Sequence, residues 1–283
     1  MLNVTLQDDR RLIVPLADAF DEGVFGGKAV QLGVAIRNGL PVPGGYALSP
    51  DVVVAVARED AAAVAVLEQV SGQLGLTAVR SSALDEDSAG ASFAGAHLSV
   101  LAVSGLGATI AAVRAVNASG QHAGARSYRA RLGLDFTAGM AVVVQSFIDA
   151  DMAGVLFTRN PVTKADERVV EASWGLGEAV VSGLVTPDRY RVARGGQTLE
   201  RTLGDKDVAI RLTSDAQAGV RTEEVPVDSE MLGAFCLGDA ELAGLDRLAS
   251  ECDRVYGSSE HDIEFAFGGG ELFLLQRRPI TGV

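Results

Sequence analysis

The stretch HDIEFAFGGGELFLLQRRPIT, residues 261–281, decides how the rest of the chain is read. Its apolar residues mark two strands, 262–267 and 271–276, with the glycines at 268–270 connecting them. Side chains alternate across a strand, so Asp262 and Glu264 share a face of the first one. Gln276 and Arg278 likewise share a face as the second runs on. Two carboxylates and a neutral amide oxygen are hard donors of the kind Mg2+ takes, and Mg2+ beside Lys and Arg is the equipment of phosphoryl transfer. Taken alone, an Asp-x-Glu on a strand is more often a solvated face than a metal site, so the neighbouring sequence has to carry the argument.

Upstream, a helix is expected at about 229–256, and strands at 140–147, 153–158, 168–172 and 189–193. Before Gly139 the texture differs. Residues 26–39 (GGKAVQLGVAIRNG) read as a glycine turn entering a helix that stops at Gly39, and 41–45 as a loop. A short strand at 46–48 follows, then one or two helices over 51–74 and a strand at 77–80 that enters a Ser-, Asp- and Gly-rich loop over 81–95. Residues 106–132 read as an amphipathic helix with Arg114, Arg126, Arg129 and Arg131 on its polar side. The mixture predicts an α/β or α+β fold, and the change of texture divides it into lobes 1–138 and 139–283.

Composition narrows the function classes. The chain has 283 residues, 48% of them hydrophobic, which supports a sizeable core in one large domain or two lobes. Its formal charge of −13 argues against a general nucleic-acid binder or a protein held on anionic lipid, since both need clustered cations. A phosphate-bearing ligand must then be held by a few local cations and backbone amides. No basic-then-apolar leader opens the chain, and the uncharged run between Asp87 and Arg114 is broken by glycines and serines. Cys236 and Cys252 are too few for a disulfide framework or a Cys-based zinc site, which suits a reducing, cytoplasmic location.

The simple phosphate-binding motifs fail. Gly27-Lys28 resembles the end of a P-loop, but Glu22 stands where its first glycine belongs and Ala29 where Ser or Thr belongs. Gly175-Leu176-Gly177 has Val180 in place of the third glycine of a dinucleotide fingerprint. His97, His122 and His261 lie far apart without a second ligand at metal spacing and read as surface or packing residues. What remains is dispersed: Gly26-Gly27-Lys28 at a helix start, where backbone N–H groups favour anions, Arg80-Ser81-Ser82 at a strand end, a flexible loop holding Ser92 and Gly95, and the Asp262–Arg278 cluster.

Together these segments resemble the N-terminal, ATP-grasp nucleotide-binding domain of the phosphoenolpyruvate synthase, pyruvate phosphate dikinase and rifampin phosphotransferase family. Five blocks run in that family's order: GGKAVQLGVAIRNGLPVPGGYAL, AVRSSALDEDSAGASFAG, MAVVVQSFIDADMAGVLFTRNPVT, VVEASWGLGEAVVSGLVTPDRY and HDIEFAFGGGELFLLQRRPIT. The resemblance implies an α+β fold of two lobes with the nucleotide in the cleft between them, and ATP and Mg2+ as cofactors. It implies that Lys28 and Arg80 contact phosphates under a loop containing Ser92 and Gly95, and that Gln145 borders the adenine. It implies further that Glu171 and Glu178 line the nucleotide site, that Asp262, Glu264 and Gln276 hold Mg2+, and that Arg278 stabilises the phosphoryl group in flight. The chain departs from the family after SFAG, where Ala96-His97-Leu98-Ser99 replaces the usual Gln-Gln-Glu-Thr.

The family's enzymes continue into a mobile domain with a phosphorylatable histidine and a substrate-binding domain. A stand-alone nucleotide-binding chain is therefore expected, a phosphotransferase unit acting on a separate phosphohistidine-domain protein or directly on a small-molecule acceptor. The alternatives are an ATP-grasp ligase working through an acyl phosphate and a non-catalytic, ATP-binding regulatory domain.

Overall fold

A computed structural model describes residues 6–8, 11–83, 98–120, 139–215 and 219–280. Two compact units divide the chain: 1–37, 43–147 and 218–221 form the first, and 38–42, 148–217 and 222–283 the second.

In the first unit, strands β1 (Leu6–Asp8), β2 (Arg11–Pro15), β3 (Gly45–Leu48), β4 (Leu76–Ala83), β5 (Ser99–Ser104) and β6 (Met140–Ser146) make one sheet in the order β1-β2-β3-β6-β4-β5. Every pairing is antiparallel. Helices α2 (Pro50–Ala57), α3 (Ala61–Leu74) and α4 (Gly105–Ser119) pack Val52, Val56, Leu67, Val70, Val113 and Val116 against Val79, Val142 and Val144. Helix α1 (Glu22–Arg37) covers the other face. With both faces covered, β6 is an unbroken apolar run rather than an alternating one, and this gave it a strand reading from sequence. The expected boundary at 138/139 would assign β6 to the second lobe; its pairing with β3 and β4 places it in the first unit, and the division falls after Phe147.

The 51–74 segment is two helices because Asp60 interrupts it. Its carboxylate accepts from Ala63 N at 3.1 Å and starts α3 afresh, while Pro50 occupies the first turn of α2. The helix expected over 106–132 is described from Gly105 to Ser119; Arg126, Arg129 and Arg131 lie outside the described residues.

In the second unit, β7 (Met152–Phe157), β8 (Glu167–Trp174), β9 (Asp188–Ala193), β10 (Thr198–Thr202), β13 (His261–Gly268) and β14 (Glu271–Pro279) form an antiparallel sheet ordered β10-β9-β8-β7-β13-β14. Strands β11 (Val208–Asp215) and β12 (Gly219–Pro226) pair separately. The helix expected over 229–256 is two, α6 (Ser229–Leu232) and α7 (Asp239–Tyr256), with the short α5 (Glu178–Val181) earlier in the chain. The break falls in GAFCLG, residues 233–238, whose backbone is drawn into a buried polar hub described below. Helix α7 buries Leu242, Leu245, Leu248, Ala249 and Cys252. It is fastened to β8 by the fully buried Arg168, whose guanidinium donates to Asp246, Ser250 and Asp253 on the helix and to Thr158 O.

Candidate nucleotide site

In the first unit the site begins with a glycine. Gly26 has φ 76° and ψ 161°, which kinks α1, and a Cβ there would lie 2.3 Å from Ser82 O. That close approach lets the Ser82 hydroxyl tie the two sides of the kink, donating to Phe25 O at 2.7 Å and accepting from Ala29 N at 3.1 Å. The helix after the kink thus starts against β4, with Lys28 in its first turn. Lys28 is buried, and its ammonium donates to Ser81 O at 2.6 Å. Arg80 and Gln145 are also buried. The register Ala78 to Gln145 and Arg80 to Val143 puts Arg80, Ser82 and Gln145 on the same face of the sheet, the one α1 covers. Gln145 Nε2 donates to Pro43 O at 3.1 Å. Ser92 and Gly95 lie outside the described residues.

In the second unit, five sequence candidates share one face of the sheet. Asp262 stands directly opposite Arg278, and Glu264 opposite Gln276, in the β13–β14 pair. Across the sheet the register extends the second pair into a row, Gln276, Glu264, Val155, Glu171, Arg189 and Thr202. The row beside it is Arg278, Asp262, Phe157, Val169, Arg191 and Glu200. Neighbouring members are about 5 Å apart, the spacing of paired strands. The Gln276 amide stands against Arg278, and with its oxygen turned toward the guanidinium it accepts from Nε at 2.5 Å and Nη2 at 2.6 Å. Glu178, by contrast, is exposed in the first turn of α5 and is in neither row.

Electrostatics at the acid pair fit a cation. Burial pushes the Asp262 carboxyl up to about 6, the neighbouring Glu264 charge adds to the rise, and Arg278 opposes it. Asp262 Oδ1 is buried with no hydrogen-bond partner among the described residues. Among those residues no three His, Cys, Asp or Glu side chains gather as a metal site. Two carboxylates and an amide oxygen are hard donors of the kind Mg2+ takes, an ion that also keeps waters and accepts phosphate oxygens.

The opposite face of the same strands holds the register. His261 is fully buried and accepts at Nδ1 from Arg277 Nε and Nη2, at 3.0 and 2.7 Å, while its Nε2 lies 2.9 Å from Ser258 O. Burial, and then the Arg277 charge, push it down to about 4, so it is neutral with its proton on Nε2. This is the packing role expected for it, whereas His97 and His122 lie outside the described residues. A second support was missed in the sequence. Asp188, fully buried, accepts from Lys206 Nζ at 2.5 Å, Gly204 N at 2.8 Å, Cys236 N at 2.8 Å and the Tyr190 hydroxyl at 3.2 Å. Tyr190 in turn accepts from Leu237 N at 3.0 Å. Period-two alternation could have placed Asp188 and Tyr190 on the face away from Arg189, but nothing local marks Lys206 as the partner.

A buried lysine and arginine on the first unit's sheet and, separately, an acid–amide–arginine cluster on the second unit's sheet are side chains of the types that bind nucleotides. The chain belongs to the pyruvate phosphate dikinase AMP/ATP-binding domain family, whose profile matches residues 55–283. It is 34% identical to a probable phosphoenolpyruvate synthase of Methanothermobacter thermautotrophicus, over 92% of this chain and 44% of that protein. It is also 34% identical to the uncharacterised phosphotransferase YvkC of Bacillus subtilis, over 91% of this chain and 33% of that one. With a rifampicin phosphotransferase of Streptomyces sviceus it shares 38% identity over 75% of this chain and 24% of that one. The chain thus spans less than half the length of these relatives. Among solved structures, the VanG D-Ala:D-Ser ligase of Enterococcus faecalis superposes with a TM-score of 0.42 at 12% identity, covering 94% of this chain and 54% of that one, too loosely to argue from. Among the described residues no helix is long and apolar enough to cross a membrane.

Proposed function

We propose that this domain binds ATP with Mg2+ and transfers a phosphoryl group to an acceptor supplied from outside it, either a histidine on another domain or protein, or a small molecule. The observation that carries the reading is the cross-strand square of Asp262, Arg278, Glu264 and Gln276, two acids facing a guanidinium and an amide. Asp262, Glu264 and Gln276 would hold Mg2+, which when bound neutralises charge between phosphate oxygens. Arg278, whose Gln276 partner oxygen would turn to the metal, stabilises the equatorial oxygens of the phosphoryl group in flight. Lys28 exchanges its Ser81 carbonyl for a phosphate oxygen, and Arg80 takes another, with the loop of Ser92 and Gly95 over them. Gln145 borders the adenine, and Glu171 and Glu178 line the nucleotide site. Little covalent chemistry falls to the protein, so alignment and charge neutralisation account for catalysis.

Support for a separate acceptor comes from the relatives, which are more than twice as long as the stretch this chain matches. The test is incubation with ATP and Mg2+, alone and with candidate acceptor proteins, reading AMP and phosphate against ADP. Release of neither product under any of these conditions, with ATP bound, would leave only a nucleotide-binding regulator.

A further inference from the structure

Strand β9 sends two arginines onto the face that carries the acid–amide–arginine cluster, and their situations differ. Arg191 is committed to the protein: its guanidinium donates to both oxygens of Glu167, at 3.0 and 2.9 Å, and to Glu200 at 2.7 Å. Arg189 makes no side-chain hydrogen bond among the described residues. Its nearest acid is Glu171, with Nε 3.9 Å from Oε1, and its side chain is 44% exposed. A half-exposed ion pair of that length adds little to stability, so the fold does not require an arginine here. Its direction is nonetheless firmly set. Asp188 and Tyr190, on either side of it in the strand, are fully buried and tied to Lys206, Gly204, Cys236 and Leu237, so period two forces Arg189 onto the opposite face.

That face is the one the proposed function uses. Arg189 lies in the same cross-strand row as Glu171, Glu264 and Gln276. Strand β9 is three strand spacings from β13, about 14 Å, a gap that a triphosphate and an arginine side chain bridge together. A guanidinium directed to this face, with no side-chain hydrogen bond among the described residues, presents a planar pair of donors matched to an oxyanion. We propose that Arg189 is a further phosphate-binding residue of the nucleotide site, donating to an oxygen of the ATP triphosphate; this rests on the ATP-binding reading of the same face.

The test is calorimetric titration of the purified chain and of its Arg189→Gln and Arg189→Lys variants with ATP and with adenosine, Mg2+ present throughout. Arg189→Gln is expected to weaken ATP by about tenfold or more, the size of one charge-assisted hydrogen bond, and to leave adenosine and the thermal midpoint unchanged. Arg189→Lys, which keeps the charge and loses the fork, is expected to fall between. Equal ATP affinity in wild type and Arg189→Gln would overturn the assignment, as would an equal loss for ATP and adenosine. Failure of the wild type to bind ATP is a separate result, which would remove the nucleotide reading itself and this residue's role with it.

Discussion

Replacing Asp188 by Asn tests whether the buried hub in the second unit is the structural anchor its geometry suggests. Asp188 and Lys206 are both fully buried, and the carboxylate also receives Gly204 N, Cys236 N and the Tyr190 hydroxyl. Asn keeps one acceptor oxygen. It can serve the Lys206 and Gly204 side or the Cys236 and Tyr190 side, and its new N–H2 faces donors on the other. Lys206 is left as a buried charge without its counter-ion, a change that costs about 3–5 kcal/mol. Against a domain stability of about 5–15 kcal/mol this is a large fraction. Trp174, the one tryptophan, lies on β8 of the same unit, so urea unfolding followed by its fluorescence reports the right part of the chain. The companion double variant Asp188→Asn with Lys206→Met removes the stranded charge and is expected to recover most of the loss. A loss below about 1 kcal/mol in the single variant, or no recovery in the double, would refute the reasoning. The pH dependence adds a check of sign. Burial pushes the Asp188 carboxyl up, but the hydrogen bonds from Gly204, Lys206 and Cys236 outweigh it, and its pKa in the folded chain lies below the ordinary 3.8. Its contribution is therefore fully present above the unfolded-state value and lost as pH falls through the lower folded one, so wild type and variant converge only in acid.

Other consequences follow from single contacts. Gly26→Ala meets both a positive φ and Ser82 O at 2.3 Å, so a loss of about 1–3 kcal/mol from backbone strain alone, read as a lower thermal midpoint, is expected together with weaker ATP binding. A variant that melts and binds as wild type would show that the kink does not position Lys28. Cys236 and Cys252 are buried, and burial pushes both thiols up to about 12, so neither is expected to react with a thiol reagent at pH 8 until urea is added, when both should. Reaction of a native thiol at the rate of a free one would contradict the described packing.

How far the fold could be read from sequence depended on whether local pattern or distant pairing decided each element. The apolar run of β6 and the Asp-x-Glu and Gln-x-Arg strands were legible because burial on one or both faces leaves a periodic trace. Strand β10, TLERT, lies at the edge of its sheet and is largely exposed, and β12, GVRTEEVP, is exposed along most of its length, so neither carries alternation to read. The single helix expected over 229–256 is broken because residues 236 and 237 donate their amides to Asp188 and Tyr190, nearly fifty positions away, a demand absent from local propensity. At the site, alternation correctly put Asp262 with Glu264 and Gln276 with Arg278, but that these pairs stand opposite each other depends on a register shift between Glu264 and Phe265 that no spacing rule supplies. Arg189 escaped notice because an arginine in a polar strand looks like any surface charge until its row is known.

The central claim is that the acid pair on β13 holds Mg2+ for ATP. It is tested most directly by titrating ATP into wild type and into the Asp262→Asn, Glu264→Gln double variant, with and without Mg2+. The account predicts that Mg2+ tightens ATP binding by about tenfold or more in wild type and that the double variant loses this gain while still binding metal-free ATP. An equal Mg2+ effect in both proteins would contradict it.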